Sequence, residues 1–163
     1  MPTWSHDSQW LYFSWQADGA RDIWRVHLTS GVRERVTRGG GGLVGRESAD
    51  GSAVYFQRDT HDSALLAQPL TGGPPRTVLP CVTGTAYTVT SRGIYYVPCG
   101  DARSPDARLF DPVTGADQAV VRLVDYQYTH MPSGFAASPD GRRVFYDRWI
   151  SRGADLMLLA GFR

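Results

Sequence analysis

Ser5-His6-Asp7, Ser48-Ala49-Asp50 and Ser138-Pro139-Asp140 each set a serine two residues before an aspartate, ahead of an apolar run. A serine beside a carboxylate raises the prospect of nucleophilic catalysis, but that chemistry needs a paired base to take the hydroxyl proton. No base accompanies these serines, and a hydrogen bond across a local turn accounts for each pair. Asp7, Asp50 and Asp140 therefore read as turn residues rather than as catalytic acids or ligands. The histidines, His6, His27, His61 and His130, match no HExxH or related zinc spacing. His27 reads as a strand residue, His61 and His130 as loop residues. No Gly-x-Ser-x-Gly nucleophile turn occurs. The glycine run at 38–42 is followed by neither a Lys-Ser/Thr pair nor a helical segment, so it reads as a flexible link and not as a phosphate cradle. No catalytic residue, metal ligand or cofactor is expected.

The serine–aspartate pairs make sense once the elements around them are seen. Each lies just before an apolar triplet: Leu11-Tyr12-Phe13, Val54-Tyr55-Phe56 and Val144-Phe145-Tyr146. A further triplet, Ile94-Tyr95-Tyr96, follows the turn Ser91-Arg92-Gly93, which has lost the motif. The triplets recur at intervals of 43, 40 and 50 residues. Such a period suits a unit of four short strands. Asp50-Gly51 and Asp140-Gly141 are strong hairpin signals, because glycine accepts positive φ and aspartate bonds to its own backbone. The triplets do not alternate apolar with polar residues, so each predicts a strand covered on both faces. Third strands fit 22–28, 64–70, 107–113 and 155–161, and short outer strands fit 33–37, 75–79 and 118–124. Pro69 and Pro112 would make pairing irregular in two third strands. No helical periodicity is present.

These features predict an all-β fold of four β-propeller repeat units, at about 1–42, 43–82, 83–130 and 131–163, in an incomplete or open propeller. Closed propellers generally have four to eight blades. The fourth unit reaches Arg163 before an outer strand, and nothing before "PTW" completes another unit. Two explanations stay open: the C-terminal part of a longer propeller, with upstream blades missing, or a small four-bladed or open arc. An open arc would expose an apolar face at each end, inviting association.

The stretch 2–37 resembles the repeat of TolB-type propellers, also called WD40-like or PD40 repeats. The likeness is carried by Pro2, Trp4, Ser5, Asp7, Leu11, Phe13, Gly19, Ile23, Trp24, Val36 and Thr37. His6 and Ser8 depart from the family's usual Pro and Gly. The fourth unit carries the complete Ser-Pro-Asp-Gly, the second has Ala49, and the third keeps Gly93 and Ile94. The ending also resembles the C-termini of large bacterial propeller proteins. Some of those carry an N-terminal winged-helix DNA-binding region or a Ser/Thr kinase domain. The resemblance implies a sensory or docking role after such a domain.

Charge excludes some partners. Every basic residue is arginine, yet the net charge is +1 and the signs are interspersed, which gives no electrostatic case for direct nucleic-acid or anionic-membrane binding. No stretch reaches membrane-span length, and no signal peptide is visible at the start. The sequence as given reads as cytoplasmic, or periplasmic if residues precede it. A protein partner is the expectation. Contact candidates are Trp15 and Trp149, just past second strands, and Tyr126, Tyr128 and His130 in the segment 125–135. The loop 99–108 is a second place for contacts. Trp4 and Trp24 read as core. Cys81 and Cys99 flank a predicted hairpin whose outer ends approach one another, so a disulfide is open to them in an oxidising compartment. The expected function is a non-enzymatic interaction or sensory module. The alternatives are an accessory propeller of a peptidase, kinase or other enzyme, and a small-ligand or carbohydrate binder.

Overall fold

β-Branched and aromatic residues dominate the repeated triplets, and each triplet forms a strand. In the computed structural model these are β2 (Trp10–Ala17), β6 (Ala53–Phe56), β9 (Gly93–Pro98) and β13 (Arg143–Ile150). The structure describes residues 1–17, 19–40, 42–58, 61–100, 103–126, 134–150 and 153–161, with backbone alone at 149–150, 153–156 and 159. No helix occurs among them.

Contacts divide the chain into two units, Met1–Pro80 and Cys81–Arg163. In the first, β1 (Thr3–Trp4), β2, β3 (Ala20–His27) and β4 (Arg33–Arg35) form an antiparallel sheet in chain order. A second sheet follows with β5 (Arg46–Glu47), β6 and β7 (Ser63–Pro69), and β8 (Arg76–Thr90) is the next neighbour of β7. In the second unit, β8 from Val82 onward pairs with β9, and β10 (Asp106–Phe110) and β11 (Asp117–Arg122) complete the sheet. A last sheet holds β12 (Phe135–Ala137), β13 and β14 (Gly153–Ala160).

β8 differs from the sequence expectation. It is one 15-residue strand that serves first as an outer and then as an innermost strand, without the break expected before Cys81. It is interrupted instead by a bulge. Four residues of β8, from Thr83 to Ala86, stand against Val97 alone between the Val82–Pro98 and Tyr87–Tyr96 pairs. Continued from Tyr87, the register would set Cys99 opposite Gly84. The bulge absorbs three residues, and Cys81 and Cys99 are disulfide-bonded with Cα atoms 5.6 Å apart.

The prolines are less disruptive than expected. Pro69 ends β7 in regular register with Ala53, and Pro112 falls in the turn after β10, which stops at Phe110. Within the run at 38–42, Gly40 and Gly42 are held in place, and Gly41 lies outside the described residues. Arg58 donates to the Gly40 carbonyl at 2.7 Å, Ser14 donates to the Gly42 carbonyl at 2.6 Å, and a side chain on Gly42 would meet Ile23 at 3.1 Å.

Each unit has its own core. Tyr12 and Ile23 of the first sheet pack against Val54 and Phe56 of the second. Tyr12 also donates its hydroxyl to Glu47 Oε1 at 2.9 Å, and burial raises its pKa. In the second unit, Tyr95, Val97 and Leu109 pack with Val144 and Tyr146. The same rule governs both. The middle triplet residue of one sheet faces the next sheet, and the first and third residues of that sheet face back.

Candidate interaction surface

The serine–aspartate pairs form braced turns. Ser5, Ser48 and Ser138 each donate a hydroxyl hydrogen bond to the aspartate two residues on, at 2.5–2.6 Å. The backbone N–H of Trp10, Ala53 and Arg143 returns to the same serine oxygens. The serine hydroxyl holds Asp7, Asp50 and Asp140 below the usual carboxylate range, with Asp50 at about 2. The hydroxyl proton of each serine is thus committed to its aspartate, and the pair serves the turn. Gly51 and Gly141 take φ of 70° and 65°, and Ser8 takes the same conformation at 59° where those two turns have glycine. Gly141 also anchors its turn: its carbonyl accepts from the Tyr95 hydroxyl at 2.8 Å and from Arg92 at 3.1 Å. Gly93 plays a different part, closing the hairpin from Thr90 and lying against β10.

The contact candidates separate. Tyr126 is buried beside Tyr146, with ring centroids 6.3 Å apart, so it belongs to the core and is no free contact residue. It reaches this place because an isolated bridge pairs it with Arg148 of β13. Tyr128 and His130 lie outside the described residues. Trp149 lies in β13 opposite Ala154, and its side chain is outside the described set. The loop expected at 99–108 is shorter, since β10 starts at Asp106.

Trp15 is 43% exposed, and its ring lies 5.0 Å from that of Trp24. Strand register shows what shares its face. Trp4 stands opposite Leu11, Phe13 opposite Trp24, and Leu11 opposite Val26. Directly opposed residues lie on one side of a sheet. Trp4, Leu11, Phe13, Trp15, Trp24 and Val26 therefore share one face of the first sheet, with the Asp22–Arg35 ion pair and Arg33 on the same side. Trp4 was expected in the core, yet it is 62% exposed. The reason is the two-sided sheet: Thr3, Tyr12, Ser14 and Ile23 turn to the second sheet, and Trp4 turns the other way.

The repeat gives this face its meaning. Val54 and Phe56, Ile94 and Tyr96, and Val144 and Tyr146 hold the positions of Leu11 and Phe13 in the later sheets, and all six are buried. Leu11 and Phe13 are only half-buried. A face that the fold covers in every later sheet is open in the first.

Other concave regions offer less. A cavity of about 310 Å³ in the first unit is lined by Arg25, Glu34, Arg35, Arg38 and Gln68 among others. Arg25 is paired with Glu34 at 2.6 Å, and Arg35 with Asp22. Two of its three cations are thus committed. Among the described residues, no group of three or more His, Cys, Asp or Glu is placed to hold a metal ion. No helix there is long and apolar enough to cross a membrane.

Solved structures match this arrangement closely. TolB from Acinetobacter baumannii superposes with a TM-score of 0.74 at 19% identity, over 98% of this chain and 40% of that one. The fold is that of β-propeller blades. A TolB of Agrobacterium tumefaciens gives 0.62 at 22% identity, over 98% of this chain and 57% of that one. A chain of the nidogen/laminin complex gives 0.61 at 13%, over 99% and 64%. The chain thus spans less than two thirds of each of these propeller proteins. No protein-family model and no curated protein matches the sequence. At these identities the likeness establishes the blade fold alone.

Proposed function

We propose that this chain is a non-enzymatic protein-interaction module built of propeller blades, and that it takes its partner on the aromatic face of the first blade. The partner is itself a β-sheet of the same repeat type. The half-open Leu11 and Phe13, whose counterparts in the other three blades are buried, carry this reading. Exposed tryptophans on a largely aromatic face with the Asp22–Arg35 ion pair at its edge support it, because tryptophan is enriched among binding hot spots. The braced turns offer no activated nucleophile, which weighs against an enzymatic role. The Cys81–Cys99 bridge supports an oxidising compartment.

Site-specific photo-crosslinking in cells tests this. With p-benzoylphenylalanine in place of Trp15, irradiation is expected to give adducts that map to a strand of a propeller repeat. The same group at Val113, which is 90% exposed, serves as control and is expected to give no such adduct. Position-15 adducts absent, or no different from the control, would contradict the proposal.

A further inference from the structure

We propose that the cavity between the two sheets of the first unit is a carboxylate-binding site, in which Arg38 holds the anion above a small apolar floor. It lies on the side of the first sheet away from Trp4 and Trp15, and it is independent of the interaction role.

Strand register decides which charges face the cavity. Arg25 stands opposite both Tyr12 and Glu34, so all three turn toward the second sheet. Arg25 is engaged there. Its Nε and Nη2 donate to Glu34 Oε2 at 2.8 and 2.6 Å, and its guanidinium lies 4.1 Å from the centre of the Trp10 ring. Arg35 stands opposite Trp24 and turns the other way, to Asp22. Arg38 is the cation that is left. It lines the cavity, is exposed, and forms no ion pair or hydrogen bond among the described residues. Arg25 and Glu34 cancel, so the cavity carries one uncompensated positive charge.

The remaining walls are already in place. Thr37 fixes where Arg38 begins. It is buried, its N–H donates to the Ile23 carbonyl at 3.2 Å, and its hydroxyl accepts from the Ile23 N–H at 2.9 Å and donates to Asp22. The facing wall is Gln68, which is buried opposite Val54 and so looks toward the first sheet. Gln68 Nε2 donates to the Pro69 and Gly73 carbonyls at 3.2 and 3.0 Å, which holds the turn after β7 as a rim. Both amide hydrogens are used, and Oε1 remains as an acceptor. Val36 and Leu70 form the floor, and both pack on the core of Tyr12 and Ile23.

These features select the ligand. A guanidinium presents two parallel N–H groups that match a carboxylate. One uncompensated charge suits a monoanion. A phosphate monoester, at about −2 near neutral pH, would set a second negative charge beside Glu34. The floor suits a short branched hydrocarbon, and a volume of about 310 Å³ is at the small end for ligand sites. The carboxylate has two sources: a free short-chain acid, or the C-terminus of a polypeptide that ends in an aliphatic residue.

NMR titration of the full chain tests the proposal through the Gly72 and Gly73 amides and the Arg38 Nε–H. Isovalerate is expected to give saturable shifts, with a Kd on the order of millimolar for so small a ligand. Isovaleramide has the same shape without the charge and is expected to bind at least about tenfold more weakly. Arg38→Gln is expected to weaken isovalerate by a similar factor. Arg38→Lys, which keeps the charge and loses the fork, is expected to weaken it less. Arg142→Gln alters an exposed arginine of the second unit and is expected to change nothing. Unshifted amides elsewhere in each variant show that the fold is kept. Acetyl-glycyl-leucine separates the sources: binding tighter than isovalerate assigns the site to a polypeptide C-terminus, and weaker binding assigns it to a free acid. The proposal is overturned by no saturable shift with either acid, by equal binding of isovalerate and isovaleramide, or by unchanged binding in Arg38→Gln. Tighter binding of inorganic phosphate than of both acids would also overturn it.

Discussion

Gly93→Ala is expected to cost about 3–4 kcal/mol, among the largest losses a single methyl group can cause here. Gly93 has φ of +129°, a conformation that side chains rarely adopt, and a Cβ there would lie 2.4 Å from the Phe110 carbonyl oxygen and 3.2 Å from Leu109 Cδ1. The nearest obstacle is backbone, so no rotamer change relieves it. β10 would have to move away from β9 at the Ile94–Phe110 pair, where it also holds Leu109 in the core of the second unit. Gly51→Ala is the comparison. Its φ is +70° and nothing lies within 4 Å, so the cost is the left-handed backbone alone, about 1–2 kcal/mol. Urea unfolding of both variants measures the difference. Equal losses would show that the close approach to β10 contributes nothing.

Removing the disulfide, as Cys81→Ala with Cys99→Ala or by reduction, is expected to destabilise the chain by about 3 kcal/mol. The bridge spans 18 residues and closes β8 against β9 on the far side of the bulge. Beside the bridge, the Val82–Pro98 pair and the Thr83 hydroxyl bond to the Pro98 carbonyl hold that end of the hairpin. Amide exchange in the reduced protein should therefore rise first around Val82 and Pro98, while Tyr87–Thr90 stay protected. Thiol titration of the unfolded, unreduced chain checks the premise: no reactive thiol is expected, and two would contradict it.

Much of this was legible in the sequence, for identifiable reasons. The triplets and the Ser-x-Asp turns are local: strand preference and turn chemistry act within a few residues, and each produced the predicted element. Ser8 shows the limit of residue type, since it adopts the turn conformation of Gly51 and Gly141 without being glycine. The β8 bulge was not legible, because it depends on how two strands pair and not on either strand alone. Trp4 and Tyr126 were read the wrong way round for a related reason. Both are aromatic, and sequence gives the period of a strand but not which of its faces a neighbour covers. Trp4 sits on the open face; Tyr126 is drawn inward by its bridge to Arg148. The candidate surface became visible only when equivalent positions of the four repeat units were compared for burial.

The central claim is that Phe13 and Phe56 hold one repeat position in two environments, open to a partner in the first sheet and sealed in the second. The most direct measurement is the unfolding free energy of Phe13→Ala and Phe56→Ala, at a dilution that keeps the chain monomeric. Phe56 is 1% exposed and packs with Tyr12, Ile23 and Val54, so its truncation is expected to cost about 3–5 kcal/mol. Phe13 has one side uncovered, and its truncation is expected to cost about 1 kcal/mol. Equal losses at the two positions would contradict the account, because the first sheet would then already be as fully covered as the second.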